Sequence, residues 1–170
     1  ESRPTAALLC QLGYQRMTDF FSESTPAKQF WSLKSSFATY ATLAGHFKIK
    51  HFQASKSHGV TEVFYDNYHC LITEFRLPDG CTTKATYDYR SFVPLRIVNP
   101  NGNAQEARYD SFGRLLCSTF YGNEDNTPVG FKPISEYQCP TFTSPDAAIA
   151  EAQTALQKAA SATFSAPFSW

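Results

Sequence analysis

The sequence lacks the features that mark several functional classes. Its 15 Lys+Arg and 15 Asp+Glu residues give a formal net charge of zero, so no basic surplus indicates a nucleic-acid partner. No apolar run approaches the roughly 18 residues of a membrane-spanning helix. The Gly-x-Ser-x-Gly motif, a Walker-type loop and a dinucleotide fingerprint are absent. The sequence therefore predicts no enzymatic activity of its own and no cofactor.

The cysteine pattern also does not predict a disulfide framework. The chain has five cysteines, an odd number, and no Cys-x-x-Cys: Cys10, Cys70, Cys81, Cys117 and Cys139. A small secreted domain stabilised by disulfides normally carries a denser, even set. We expect free, buried thiols that behave as small apolar side chains.

What the chain does contain is an aromatic-rich composition. Hydrophobic residues make up 42% and aromatic residues 15% of its 170 residues, which is typical of a globular, β-rich domain with a real core. The chain begins at Glu1 rather than at a methionine. We therefore expect a fragment or a processed form.

A Tyr-Asp pair repeats with a period of 22 residues. The three copies are Tyr65-Asp66, Tyr87-Asp88 and Tyr109-Asp110. A second marker keeps the same interval, because Asp79-Gly80 and Asn101-Gly102 are also 22 residues apart. Self-similarity at a fixed period predicts a repeat architecture in which each unit packs against its neighbours.

Each repeat predicts two strands and two turns. Asp-Gly and Asn-Gly between β-rich runs favour type I′ hairpin turns, in which both central residues have positive φ. The third copy continues through Gly113 and Arg114 and then drifts, with Tyr121-Gly122 near the equivalent point. Pro78, Pro94 and Pro100 exclude a long helix across this part of the chain.

The predicted fold class is α+β, mostly β, with antiparallel hairpins and a C-terminal helix in one region, 1–170. Residues 1–28 should contain a helix from Pro4 to Leu12 and a connection. The β region 29–122 should contain a hairpin over 30–40 and a strand over 47–52, and the segment 123–143 should be loop-rich with a short strand over 131–137. Residues 144–170 should contain a helix from Pro145 to Ala162 and its tail. Gly13 would end the first helix, and Ser144 would cap the last one. Phe20, Phe21, Phe168 and Trp170 are expected to pack inward.

Few residues of the sequence are candidates for catalysis or metal binding. Four histidines, His46, His51, His58 and His69, match neither one helix face nor a zinc knuckle, so we predict solvent-facing side chains and no metal site. The Tyr-Asp pairs could do acid-base chemistry, but an active site is normally single. A structural role is therefore favoured, in which Asp closes a turn and Tyr packs on the sheet.

Exposed aromatic residues are the remaining candidates for a binding surface. Tyr89, Phe92, Phe112 and Tyr121 could form a platform for sugars. Aromatic side chains on a sheet more often belong to the core, and that interpretation is preferred here.

The repeat carries a family resemblance. The stretches YDYRSFVPLRIVNPNGN and YDSFGRLLCSTFYG resemble the Rhs/YD-repeat family, in particular the B component of bacterial Tc insecticidal toxin complexes. LLCQLGYQ near the start, the segment from Trp31 to Phe47, VGFKPISEY and the terminal PFSW fit the same pattern. The resemblance thus covers most of the chain.

The resemblance implies a structural role in a secreted, extracellular virulence factor. B and C components of Tc toxins together form a hollow β-shell around a cytotoxic segment, and B docks this shell onto the pore-forming A component. This chain would be part of the Rhs-type sheet of the shell wall, with the C and A components as partners of the full-length protein. No catalytic residue is carried over.

Two further expectations concern self-association and an alternative function. Free strand edges would favour self-association. The alternative function is a YD-repeat binding module that recognises a glycan or a host surface protein.

Overall fold

The structure, a computed structural model, describes residues 4–19, 30–33 and 36–165. It is mostly antiparallel β-sheet with a few short helices, which confirms the predicted fold class. The described chain divides into two compact units. The first contains the residues up to His69 together with Phe75–Cys81, and the second contains Cys70–Glu74 and the residues from Thr82 onward. The predicted packing of Phe20, Phe21, Phe168 and Trp170 lies outside the described residues.

The first unit begins with the short helix α1, Ala6–Gln11. The Thr5 side chain caps it by accepting a hydrogen bond from the backbone N–H of Leu8, at 3.3 Å. Gly13 follows with a φ of 93°, a left-handed conformation that glycine adopts without steric cost. The predicted N-terminal helix and its glycine stop are present, although the helix begins at Ala6 rather than Pro4 and ends at Gln11 rather than Leu12.

Five strands complete the first unit: β1, Tyr14–Arg16; β2, Trp31–Leu33; β3, Phe37–Tyr40; β4, Ile49–Gln53; and β5, Thr61–Tyr65. Strand β4 lies between β3 and β5. The predicted hairpin over 30–40 is wrong, because β2 pairs with β1 instead. This register places the Arg16 guanidinium 5.5 Å from the Trp31 ring centroid, a cation–π contact that local sequence does not reveal.

The second unit contains the remaining strands. Its strands are β6, Ile72–Arg76, of which the first three residues belong to this unit; β7, Thr82–Asp88; β8, Val93–Val98; β9, Ala104–Tyr109; β10, Leu115–Glu124; β11, Thr127–Gly130; and β12, Ser161–Ala162. From β7 to β10 each strand pairs antiparallel with the next. On the other side of β10 lie β11 and β12.

The C-terminal helix begins as predicted but ends early. Ser144 caps α2, Pro145–Ala150, and α3, Ala152–Leu156, follows after a break. The chain then becomes extended, because Ala160 N–H donates to the Ser118 carbonyl at 3.0 Å and Thr163 N–H donates to the Leu116 carbonyl at 2.8 Å. Pairing with β10 thus overrides the helical propensity of the alanines. The strand predicted over 131–137 is also wrong, since Ile134–Glu136 form a 3-10 turn.

A small core joins this C-terminal segment to the sheet. Cys117, Tyr137 and Ala159 are buried, and Ile134 and Ala162 pack against them. Burial raises the pKa of the Cys117 thiol to about 11. All five cysteines are free, but only Cys117 is buried. The prediction of buried thiols is wrong for the other four because they lie on exposed helix and loop positions.

We predict that Tyr137→Phe lowers the free energy of unfolding by about 1 kcal/mol. Tyr137 is 5% exposed, and its hydroxyl donates to the Ala155 carbonyl at 2.9 Å, so the substitution leaves a buried acceptor unpaired. Urea unfolding measures the change. Tyr40→Phe is the matched control, because Tyr40 is 62% exposed. Equal effects of the two substitutions would contradict the prediction.

Candidate functional site: the Tyr-Asp repeat and its turns

The turns of the repeat share one backbone geometry. In Leu77–Gly80, Asn99–Gly102 and Asp110–Gly113, the glycine N–H donates to the carbonyl of the first residue at 2.9, 3.0 and 3.1 Å. The three glycines have φ values of 85°, 80° and 78°. Each is therefore a turn closed by one left-handed residue, as in three-residue hairpin loops.

The predicted turn type is wrong, although both Gly80 and Gly102 do have positive φ. A type I′ turn needs positive φ at both central residues, and Asp79 and Asn101 are not among the described residues with positive φ. Asp125 and Asn126 form such a pair, with φ values of 48° and 64°, between β10 and β11. They lie in the segment predicted to be loop-rich.

Two Tyr-Asp turns also end in a left-handed residue, but without glycine; the Asp66 turn closes after three residues and the Asp88 turn after four. His69 N–H donates to the Asp66 carbonyl at 3.0 Å, and Phe92 N–H donates to the Asp88 carbonyl at 2.8 Å. His69 and Phe92 have φ values of 54° and 55°. A left-handed residue thus closes every turn of the repeat, at about half the 22-residue sequence period. For the bulky Phe92 this conformation is strained.

The carboxylates of the second and third copies cap their turns. Asp88 Oδ1 accepts from the Arg90 backbone N–H at 2.9 Å, and its Oδ2 accepts from Arg90 Nη2 at 2.8 Å. Asp110 Oδ1 accepts from the backbone N–H groups of Phe112 at 2.8 Å and Arg114 at 2.9 Å, and Oδ2 accepts from Arg114 Nε at 2.7 Å. These contacts use the carboxylate lone pairs inside the turn, which favours the structural role over acid-base catalysis.

The same contacts lower the pKa of both aspartates. For Asp88 the main cause is the hydrogen bond from the Arg90 side chain, followed by that from its backbone N–H. For Asp110 the main cause is the backbone N–H of Arg114. A carboxylate that accepts such bonds is stabilised in its ionised form.

Sequence reasoning missed Asn99, which plays the part of Asp110 in its own turn. Asn99 Oδ1 accepts from the backbone N–H groups of Asn101 and Asn103, both at 3.0 Å. Asn101, which the Asn-Gly motif singled out, supplies the N–H rather than the cap. The signal was the first position of the turn, where Asn and Asp are favoured.

The tyrosines of the second and third copies make equivalent contacts. Tyr87 donates its hydroxyl to the Ile72 carbonyl at 2.7 Å, and Tyr109 donates to the Pro94 carbonyl at 3.4 Å. In the first copy, Tyr65 is the last residue of β5 and is half-buried. A phenol that reaches a backbone carbonyl satisfies both its ring and its hydroxyl at the sheet surface.

The four histidines do not converge. His51 Nδ1 lies 2.8 Å from Thr39 Oγ1, and His58 Nδ1 lies 2.7 Å from Ser55 Oγ. The rings of His46 and His69 are 5.8 Å apart. Among the described residues, no group of three or more His, Cys, Asp or Glu side chains could hold a metal ion.

Three of the four candidate aromatic residues are exposed rather than in the core. Tyr89, Phe92 and Phe112 are 47%, 59% and 86% exposed. They lie on neighbouring turns, because a Cβ on Gly113 would meet the Ser91 Cβ at 3.3 Å. Tyr121 is half-buried and donates its hydroxyl to Glu106 Oε1 at 2.8 Å, so it does not belong to this patch. The core interpretation is wrong for the other three.

A mostly antiparallel sheet with repeated Tyr-Asp turns is the kind of fold expected of Rhs/YD-repeat proteins. Solved structures of Tc toxins share this fold. The crystal structures of TcdB2-TccC3-Cdc42 and TcdB2-TccC3 match 87% of the chain with TM-scores of 0.73 and 0.72, at 24% and 25% identity. The Tc holotoxin pore of Photorhabdus luminescens, with the mutation TccC3-D651A, matches 81% at 22% identity and a TM-score of 0.68.

These matches confirm the likeness to Tc toxin B components that the sequence predicts. The chain spans only 7% of the length of the TcdB2-TccC3 chains and 6% of that of the holotoxin chain. No protein-family model and no curated protein matches the sequence. Within the described residues, no helix is long and apolar enough to cross a membrane.

Valine at Gly80 or Gly102 should destabilise the chain by on the order of 1 kcal/mol or more. A Cβ at either position meets no atom within 4 Å, so the cost is that of placing a β-branched residue at positive φ. Thermal unfolding measures it. The control Ser111→Val puts the same side chain at an exposed position of the Asp110–Gly113 turn. Unchanged melting temperatures for both glycine variants would contradict the turn assignment.

Asn99→Ala should cost about 1 kcal/mol, while Asn101→Ala should cost clearly less. The Asn99 side chain accepts two backbone hydrogen bonds within the turn, which an alanine leaves to water. Chemical denaturation of the two single variants gives the comparison. A larger loss from Asn101→Ala would show that the cap has been assigned to the wrong asparagine.

The pKa shift of Asp110 predicts a loss of stability in acid. Because this pKa is lower in the folded chain than in the unfolded chain, ionised Asp110 stabilises the fold above the ordinary carboxyl pKa of about 3.9. That contribution disappears as the pH falls through the folded-state pKa. Asp110→Asn should flatten the dependence of unfolding on pH below about 4, and Asp125→Asn serves as the control. An unchanged slope in Asp110→Asn would contradict it.

Proposed function

We propose that the chain is a wall segment of the Rhs-repeat shell of a secreted Tc-type toxin B component. In the full-length protein it helps to enclose and deliver a cytotoxic partner. The observation that carries this proposal is a match over 87% of the chain, at a TM-score of 0.72 and 25% identity, to a TcdB2-TccC3 complex. The C component and the A component are partners of the whole toxin, and they are proposed for this chain only because of that likeness.

The chemistry of the turns supports a wall rather than a catalyst. A wall needs repeated geometry, and Asp88, Asn99 and Asp110 each use their polar side-chain atoms inside their own turn. The cap of Asp110 and the cap of Asn99 are equivalent, although one residue is charged and the other is neutral. Acid-base chemistry could not tolerate that exchange, whereas a hydrogen-bond acceptor can.

A chimera tests the proposal. Residues 4–165 would replace the matching segment of TcdB2, and the chimera would be expressed together with TccC3. We expect a complex that co-purifies and protects the hypervariable C-terminal region of TccC3 from protease. The same chimera carrying Gly80→Val and Gly102→Val should lose protection, because two turns are strained. A chimera that folds but leaves this region open to protease would overturn the proposal.

Strand edges provide the contacts that such a wall needs. Strand β11 is exposed along its length, and Pro128 within it has no N–H to donate. We propose that the isolated chain self-associates through edges by backbone pairing, with little dependence on salt because its formal net charge is zero. Sedimentation over a concentration series should show growing assemblies. A strictly monomeric chain at high concentration would favour an autonomous binding module.

The exposed patch of Tyr89, Phe92 and Phe112 supports the binding module as a second candidate. Tyrosine, phenylalanine and arginine are enriched in protein interfaces, and Arg114 lies 5.4 Å from the Phe112 ring centroid. Both arginines of these turns are paired with their own aspartates. This pairing leaves an aromatic surface without excess charge, which suits a host surface protein better than an anionic ligand.

Cell binding distinguishes this candidate. Fluorescently labelled chain should bind host cells, and protease treatment of the cells should remove that binding if the ligand is a protein. Phe112→Ser should weaken binding. Phe120→Ser is the control, because Phe120 is 53% exposed and lies outside the patch. Binding that survives protease treatment would point to a glycan instead.

A further inference from the structure

A row of polar side chains in the first unit crosses β3, β4 and β5 and reaches Arg76 at the end of β6. Thr39 on β3 lies 2.8 Å from His51 on β4, measured between Oγ1 and Nδ1. His51 Nε2 lies 3.8 Å from Glu62 Oε1 on β5, and Glu62 Oε2 accepts from Arg76 Nη1 at 3.0 Å, at the end of β6. The Tyr-Asp repeat does not explain this row, because none of its residues belongs to a repeat marker.

The row lies in a cleft of about 680 Å³. Phe37, Leu77 and Pro78 supply apolar lining beside the polar row. The turn that contains Pro78 packs tightly on the preceding loop, because a Cβ at Gly59 would lie 2.3 Å from the Pro78 Cβ. The cleft therefore has preformed walls. Its floor is the polar row, in which each side chain contacts the next one.

The charges in the cleft are balanced. Glu62 is paired with Arg76 at 3.0 Å, so the row carries one carboxylate and one guanidinium. The Lys56 amine lies 5.8 Å from the ring centroid of Phe37, which lines the cleft, and makes a cation–π contact with it. The polar row thus offers neither the cluster of cations that a phosphate needs nor an excess of carboxylates that would select an amine.

We propose that this cleft binds a neutral saccharide. The hydroxyl groups of a sugar both donate and accept hydrogen bonds, which matches a floor that alternates hydroxyl, imidazole, carboxylate and guanidinium. The apolar face of a sugar ring packs on aromatic and aliphatic side chains such as Phe37 and Leu77. Concave sites with apolar walls and a few fixed polar groups are typical of small-molecule binding. The proposal does not depend on the shell function.

An array of neutral, sialylated and sulfated oligosaccharides probes the cleft in the full chain. We expect retention of neutral glycans, followed by titration calorimetry with the neutral glycan that binds best. Glu62→Gln should weaken that binding by about tenfold or more, because a charged acceptor is lost. Glu74→Gln should leave it unchanged, since Glu74 pairs with Lys84 at 3.4 Å and does not line the cleft. Thermal unfolding confirms that each variant is folded.

Three outcomes would overturn the proposal. They are no retention of any neutral glycan, retention of acidic glycans alone, and equal affinity in Glu62→Gln and the unmodified chain. Phe112→Ser separates this site from the aromatic patch, because glycan binding in the cleft should survive it. His51→Phe provides a second variant of the floor and should weaken binding even if Glu62→Gln does not fold.

Discussion

One backbone constraint underlies the rest of this structure: every turn of the repeat is closed by a residue in the left-handed region. Glycine fills this position at Gly80, Gly102 and Gly113, whereas His69 and Phe92 adopt it with a side chain. For Phe92 the cost is on the order of 1–3 kcal/mol, so neighbouring contacts must stabilise the turn. The Asp88 carboxylate, held by Arg90, supplies such contacts within the same loop. The hairpins can therefore repeat although their turn sequences differ.

A second interaction anchors the C-terminal segment on one face of the sheet. The Glu106 carboxylate is bonded by Arg96 Nε at 3.1 Å, by the Tyr121 hydroxyl at 2.8 Å and by the backbone N–H of Ile134 at 2.8 Å. Burial and the bond to Glu106 raise the pKa of Tyr121, so the phenol remains a donor. This network holds the 3-10 turn Ile134–Glu136 against β9 and β10, and β12 pairs with β10.

The repeated features differ in proposed role from those that are not repeated: the first are proposed to be structural, and the second to bind partners. The turn caps recur, and their polar groups are already bonded within each turn, which suits a wall. The aromatic patch in the second unit and the polar cleft in the first unit each occur outside the repeated markers. Recognition can be built on these surfaces, because the three aromatic side chains are exposed and the polar row lines a cleft.

The sequence alone determined the mostly β fold, the 22-residue period, the glycine stop of α1, the start of α2 and the likeness to Tc toxin B components. Most of those features depend on local chemistry: glycine at positive φ, serine as a cap, and alternating apolar residues. Only the tertiary structure decided that β1 pairs with β2, that the C-terminal alanines after Leu156 leave the helix to join β10, and that Asn99 rather than Asn101 caps its turn. The cleft of Thr39, His51, Glu62 and Arg76 was equally invisible, because these residues are far apart in the chain and meet only through strand register. Register is a property of the assembled sheet, where backbone pairing between distant segments outweighs the preferences of any single segment.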